Sequence, residues 1–215
     1  PLAGKNMRKA SEILGINLIT YTSDWKLSKD FKLSFLNSNV PDIETSTDVG
    51  IASALYAAGY NHKIKDIFVG QSFRTEGICP LEWNFLDGKY VESVQKRFGS
   101  EKFPAWNPGK ISFNLSLLNI FYYTFIKRIK VFFPYYHLDY NRNEITSIIE
   151  KECEWQYTGA HYYDDLYQTL MSKWYLEKFN IDRRKYNYSA MIRTGNLSRS
   201  EALKKLENKY VSNQD

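Results

Sequence analysis

Apolar and polar positions follow two rhythms along this chain, and the change of rhythm divides it. From about Lys5 to Leu14 the spacing is helical and stops at Gly15, after which Ile16 to Thr22 (INLITYT) reads as a short β-prone run. A second helical segment covers about Ser28 to Leu36, and a turn-rich stretch follows from Asn37 to Thr47. Asp48 can then cap a helix that runs through Ala58 and closes at Gly59, and Asp66 to Gly70 (DIFVG) forms the next strand. Strands alternating with helices predict a parallel sheet covered on both faces, and such sheets hold ligands at the carboxyl ends of their strands. The segments after Thr22 and after Val69 are therefore the first places to look for a site.

Beyond Gly70 the rhythm breaks. Residues 71–110 contain Pro80, Gly88, Gly99, Pro104, Pro108 and Gly109 and read as one long loop, and a connection of that length inside a domain usually serves function. Helical spacing returns near 111–130, 142–152, 163–178 and 198–208, with Tyr135 to Tyr140 as a possible strand. The expected division is an α/β domain over 1–110 and a mainly helical C-terminal lobe over 111–215. Within the second part, Phe113, Leu117, Phe121, Phe125 and Ile129 recur at i, i+4 and predict one buried helix stripe. Lys127, Arg128 and Lys130 at its end leave docking on an anionic membrane surface as the second reading. Asn114, Ser116 and Asn119 interrupt the run, which is shorter than the roughly 20 apolar residues a spanning helix needs, so no transmembrane segment is expected.

Composition narrows the class. With 43% hydrophobic and 25% charged residues, and with 17 Tyr, 13 Phe and 5 Trp, the 215 residues hold too many core formers for a disordered chain. Cys79 and Cys153 are too few for a disulfide scaffold or a four-cysteine zinc site, suit a reducing cytosol, and read as structural. His62, His137 and His161 lie far apart, so no metal site is expected. The formal charge of +5, read as spread along the chain, favours a phosphate-bearing partner only weakly, and the aromatic residues do not interleave with Lys and Arg as in RNA-binding modules, so no nucleic-acid partner is expected. No signal peptide follows Pro1, and Pro1 itself is not expected to be the natural start.

The strongest chemistry lies in Gly70-Gln71-Ser72-Phe73-Arg74-Thr75-Glu76-Gly77, directly after the DIFVG strand. Gly70 lets a flat ligand approach the backbone, Arg74 can grip a phosphate with two parallel hydrogen bonds, and Glu76 can accept a proton or hold Mg²⁺ through water. Arg74 and Glu76 could equally form a surface ion pair. Ser46-Thr47-Asp48 could bind an anion at a helix N-terminus or simply cap it. Asp87-Gly88-Lys89-Tyr90 reads as a turn from which Lys89 could reach a phosphate. In Gly159-Ala160-His161-Tyr162-Tyr163, His161 is placed for proton transfer or substrate contact, or for structural hydrogen bonding.

Taken together, GQSFRTEGICPLEW (70–83), DGKYVESVQKRFG (87–99), YYHLDY (135–140), EWQYTGAHYYDDLYQ (154–168) and SAMIRTGNLSRSEAL (189–203) resemble the N-acetyl sugar amidotransferases, PP-loop ATP pyrophosphatases of bacterial lipopolysaccharide and O-antigen biosynthesis. The likeness runs from VPDIETSTD (40–48) to the last helix. It implies part of an adenine-nucleotide α-hydrolase-like parallel sheet followed by a helical lobe, and cytoplasmic conversion of an acetamido group on a sugar precursor to an acetamidino group. It further implies that ATP with Mg²⁺ adenylylates the amide oxygen, and that ammonia from a glutaminase and a cyclase-like subunit displaces AMP. Mapped onto the matching motifs, Arg74, Glu76 and Lys89 would be catalytic, Gly70, Gln71, Ser72 and Thr75 would bind nucleotide, and Asp87, Gly159 and His161 would contact the sugar. One departure stands out: the family's Ser-Gly-Gly-Lys-Asp-Ser phosphate loop does not occur in these residues, so this chain alone is not expected to turn over ATP. The competing readings are a non-catalytic sugar- or partner-binding subunit and a tRNA-modifying PP-loop relative.

Overall fold

A computed structural model describes residues 2–138, 141–156 and 166–208, the side chains of residues 75 and 142 excepted. In chain order the elements are α1 (Leu2–Ile13), α2 (Trp25–Ser38), α3 (Thr45–Asn61), β1 (Asp66–Phe68), α4 (Phe73–Glu76), α5 (Gly88–Phe98), α6 (Leu117–Phe121) continued by a π-helical turn (Tyr122–Ile126), β2 (Lys130–Phe132), α7 (Arg142–Cys153), α8 (Leu166–Phe179), α9 (Arg183–Arg193) and α10 (Arg199–Glu207). The described structure is thus mostly helical with one two-stranded parallel sheet, an α/β composition. These elements fall into two units of interleaved sequence. A sheet unit comprises Tyr21–Gly70 and Cys79–Pro134, and a helical unit comprises Pro1–Thr20, Gln71–Ile78 and Tyr135–Asp215. The 110/111 boundary read from the sequence lies inside the sheet unit.

In the sheet unit, β1 pairs with β2 in the register Asp66 to Lys130, Ile67 to Val131 and Phe68 to Phe132. Gly59 lies inside α3 rather than at its end, and the absence of a side chain there lets the helix pack closely on Ile67 and Ile129. Asp48 sits in the first turn of that helix instead of capping it. Phe31 and Phe35 of α2 and Val91 and Val94 of α5 are buried together with Ile43, Leu115, Tyr123 and Ile129 as the core. A polar clasp joins α2 to α5. The Gln95 amide bridges Ser34, whose hydroxyl donates to it at 2.9 Å, and the carboxylate of Asp30. Asp30 also accepts from the Ser100 amide and hydroxyl and from the Glu101 amide. Burial opposes ionisation of Asp30, but the donors from Glu101, Ser100 and Gln95 outweigh it and lower its pKa to about 2.

The long loop expected over 71–110 contains two helices. Asp87 does not open a turn; its carboxylate accepts from the Lys89 and Tyr90 amides and caps α5. Gly88 is required there because a Cβ would stand 2.5 Å from the Leu115 amide nitrogen. The helix expected at 111–130 starts only at Leu117, since Ser116 and Asn119 close a capping box over its first turn. The π-helical turn then rotates the following residues, so that Tyr123 points inward and stacks on Tyr56. The predicted buried stripe is overturned: Leu117, Phe121 and Phe125 are 71%, 52% and 67% exposed. Ile129, its last member, is buried beyond the helix end, just ahead of β2.

Ile16 to Thr22, which crosses from the helical unit into the sheet unit after Thr20, forms no strand, because among the described residues no neighbouring strand offers these residues a ladder of hydrogen bonds. Pro134–Tyr136 is a single 3₁₀ turn rather than the start of a strand. Helix α9 appears where the sequence reading had none, opened by Asp182, whose carboxylate accepts from the Arg184 amide at 3.0 Å. Met171, Tyr175, Ala190, Met191 and Ala202 form the apolar centre of α8, α9 and α10. Arg184 and Asp182, 7% and 8% exposed at their side chains, pair within the helical unit, and Arg184 also donates to the Lys205, Leu206 and Asn208 carbonyls at the end of α10. Those carbonyls have no partners within their own helix, so one guanidinium satisfies a carboxylate and a helix C-terminus together. No helix among the described residues is long and apolar enough to cross a membrane.

Candidate functional site

The motif 70–77 leaves the carboxyl end of β1 and turns at once into α4. Ser72 is buried and its Oγ accepts from the Arg74 amide, while its own amide donates to the Glu76 carboxylate at 3.4 Å. The sequence folds this way because a serine at the N-cap and a glutamate in the first turn satisfy donors that a short helix leaves free. Thr75 lies within this turn, and Gln71 and Glu76 are exposed on it.

Within the helical unit, residues 71–78 are fastened to α9. Gly77 adopts φ +84°, and a Cβ there would stand 2.7 Å from the Tyr186 carbonyl oxygen. No other residue type fits both the backbone angle and the space. About two turns further on, just past the end of α9, the Thr194 hydroxyl donates to the Arg74 carbonyl at 3.2 Å. Arg74 itself donates from Nη1 to the Leu138 carbonyl at 2.8 Å and from Nη2 to that of Tyr136 at 3.5 Å, and the Phe73 ring meets Tyr136 edge-on. The fork that could clamp a phosphate therefore holds the 136–138 turn.

Gly70, Asp87 and Lys89 belong to the sheet unit. Gly70 ends the sheet unit's first stretch, exposed and with nothing within 4 Å of where its Cβ would be. Asp87 caps α5, and Lys89 pairs with Glu92 at 3.1 Å on the solvent side of that helix. Gly159 and His161 lie outside the described residues. Among the described residues, no three His, Cys, Asp or Glu side chains converge as metal ligands. Of the cations expected to meet ATP·Mg²⁺, Arg74 donates to the Leu138 and Tyr136 carbonyls and Lys89 pairs with Glu92.

Sequence reading missed Asp182, Arg184, Tyr186 and Thr194, although Asp182 ahead of Arg183-Arg184 carries the signature of an N-cap. All four belong to a stretch with a recognisable relative. Residues 156–215 match the family model described as "LPS biosynthesis protein WbpG-like, C-terminal domain". This last part of the chain is therefore similar to a domain of lipopolysaccharide-biosynthesis proteins. No curated protein and no solved structure matches the chain.

Proposed function

We propose that the chain serves an ATP-dependent amidotransferase reaction of lipopolysaccharide biosynthesis in the cytoplasm, converting an acetamido group of a sugar precursor to acetamidino, and that it contributes the sugar-facing surface. One observation carries this reading: the GQSFRTEG segment, far upstream of the family match, is built onto α9 inside the matched region through Gly77 against Tyr186 and Thr194 against Arg74. A segment so constrained in backbone angle and contact belongs to the same working surface as the domain it rests on. An amide oxygen leaves poorly, so exchanging it for nitrogen requires prior activation, which ATP would supply, with ammonia arriving from a glutaminase partner. The chain's own part is to hold the sugar. Gln71 and Glu76 are exposed at the α4 turn and suit hydroxyl and amide groups of a pyranose, and Gly159 and His161 are proposed as further contacts to the sugar.

A second reading is favoured by the engagement of Arg74 with backbone carbonyls and of Lys89 with Glu92, which suits a sugar- or partner-binding subunit that performs no phosphate chemistry itself. Calorimetric titration of the chain with a nucleoside-diphosphate N-acetylhexosamine, alongside an assay of ammonia-dependent pyrophosphate release by the chain joined to a segment that carries the phosphate loop, separates the two. Sugar binding weakened by Gln71→Ala and Glu76→Gln, with pyrophosphate released once ammonia and ATP are present, supports the amidotransferase. Sugar binding without release supports the binding subunit, and no sugar binding at all sinks both.

A further inference from the structure

The net charge of this chain is not evenly spread. Residues 183–207 hold seven Lys and Arg against two Glu, a surplus of five that equals the surplus of all 215 residues. This stretch is α9, the turn after it and α10, and the two helices leave a groove of about 260 Å³ between them. Its floor is apolar, from Ile192, Leu203 and Leu206, and Lys185, Arg193 and Arg199 stand at its rim. None of these three cations forms an ion pair among the described residues; Arg193 donates to the Ser189 hydroxyl. Leu203 is 47% exposed, although most of an α-helical leucine at a helix pair is usually covered.

We propose that this groove docks an acidic amphipathic helix of a protein partner. Three features select that occupant. The floor presents apolar side chains from two helices, which accept the i, i+3, i+4 and i+7 anchors of a third, and the rim supplies cations to carboxylates flanking those anchors. Both helix N-termini near the groove are already closed by the chain's own carboxylates: Asp182 caps α9, and Glu201 accepts from the Ser198 amide and hydroxyl at α10. A phosphate would have to compete with these carboxylates at both helix starts, which disfavours a nucleotide or a lipid headgroup. The groove is also more open than the enclosed pockets that bury small ligands, and a nucleic-acid backbone held by the rim cations would leave its apolar residues uncovered. The inference stands on the charge and shape of α9 and α10 and does not depend on the amidotransferase reading.

The test uses the full chain and four fluorescent probes: a designed 16-residue helical peptide with leucines at heptad spacing flanked by glutamates, the same peptide with lysines for glutamates, a nucleoside diphosphate, and a single-stranded RNA. Anisotropy should show binding of the acidic peptide alone, weakening with salt. Lys185→Glu with Arg199→Glu should weaken it at least tenfold, and Leu203→Asp should do so with the fold retained, as checked by circular dichroism and melting temperature. Preferential binding of the nucleotide or the RNA overturns the proposal. So does equal binding of the lysine peptide. Dimerisation of the chain in sedimentation that Leu203→Asp abolishes would also overturn it, by giving the groove to a second copy.

Discussion

The Thr194 hydroxyl reaches the carbonyl oxygen of Arg74 at 3.2 Å although 120 residues of sequence separate them. Together with Gly77 against Tyr186, this contact holds an eight-residue stretch of the chain in the helical unit.

Gly77→Ala should be costly. The added methyl meets the Tyr186 carbonyl and the backbone angle turns unfavourable, so a loss of about 2–3 kcal/mol in unfolding free energy is expected from urea titration. Gly70→Ala, where nothing stands within 4 Å, should change stability by less than about 1 kcal/mol. Equal effects at the two glycines would contradict the packing described.

Arg74→Ala removes two donors to the 136–138 turn and should cost about 1–2 kcal/mol while speeding hydrogen exchange in that turn. A variant that keeps full stability but loses affinity for a nucleotide sugar would instead move Arg74 from the scaffold to the ligand.

Arg184→Ala leaves the Asp182 carboxylate buried without its partner and strips the end of α10 of its donors, with an expected loss of about 3–5 kcal/mol. Asp182→Asn combined with Arg184→Met should restore part of it. Chemical denaturation of the three proteins decides, and a harmless Arg184→Ala would refute the assignment.

Asp30 governs acid stability. Its folded pKa of about 2 lies below the ordinary 3.8, so the ionised clasp stabilises the protein above pH 4 and that contribution drains away as pH falls from about 4 towards 2. Because the side chain is partly exposed, solvent screening limits the contribution to about 1–2 kcal/mol. Asp30→Asn should be less stable at pH 7 and should flatten the dependence on pH between 4 and 2. An unchanged slope would show that another group carries it.

Local signals made much of this fold legible. Helices α1, α2, α7, α8 and α10 follow from apolar periodicity and caps, and β1 from its β-branched and aromatic run. What escaped depends on partners distant in sequence. Ile16 to Thr22 has strand composition, yet a strand exists only where another lies beside it. The stripe from Phe113 to Ile129 failed because no single helix carries it: the helix starts only at Leu117, and the π-helical turn after Phe121 breaks the i, i+4 rhythm, which periodicity cannot register. Asp87-Gly88 was read by its commonest local use, whereas the apolar spacing of Val91, Val94 and Phe98 behind it already pointed to a helix. At the candidate site the motif residues were recognisable, but their fastening to α9 depended on a helix that the sequence reading had passed over.

The interleaving of the two units sets an order of assembly. Every residue of the sheet unit has been synthesised once Pro134 is added, whereas in the helical unit segment 2–20 waits for α7 and residues 154–156, and segment 71–78 for α9, before they find their partners. Those segments must stay unpaired during synthesis, with Ile16, Leu18 and Ile19 among the apolar side chains they carry. A truncation at residue 135 would therefore remove little from one unit and leave the other as two orphaned peptides attached to it.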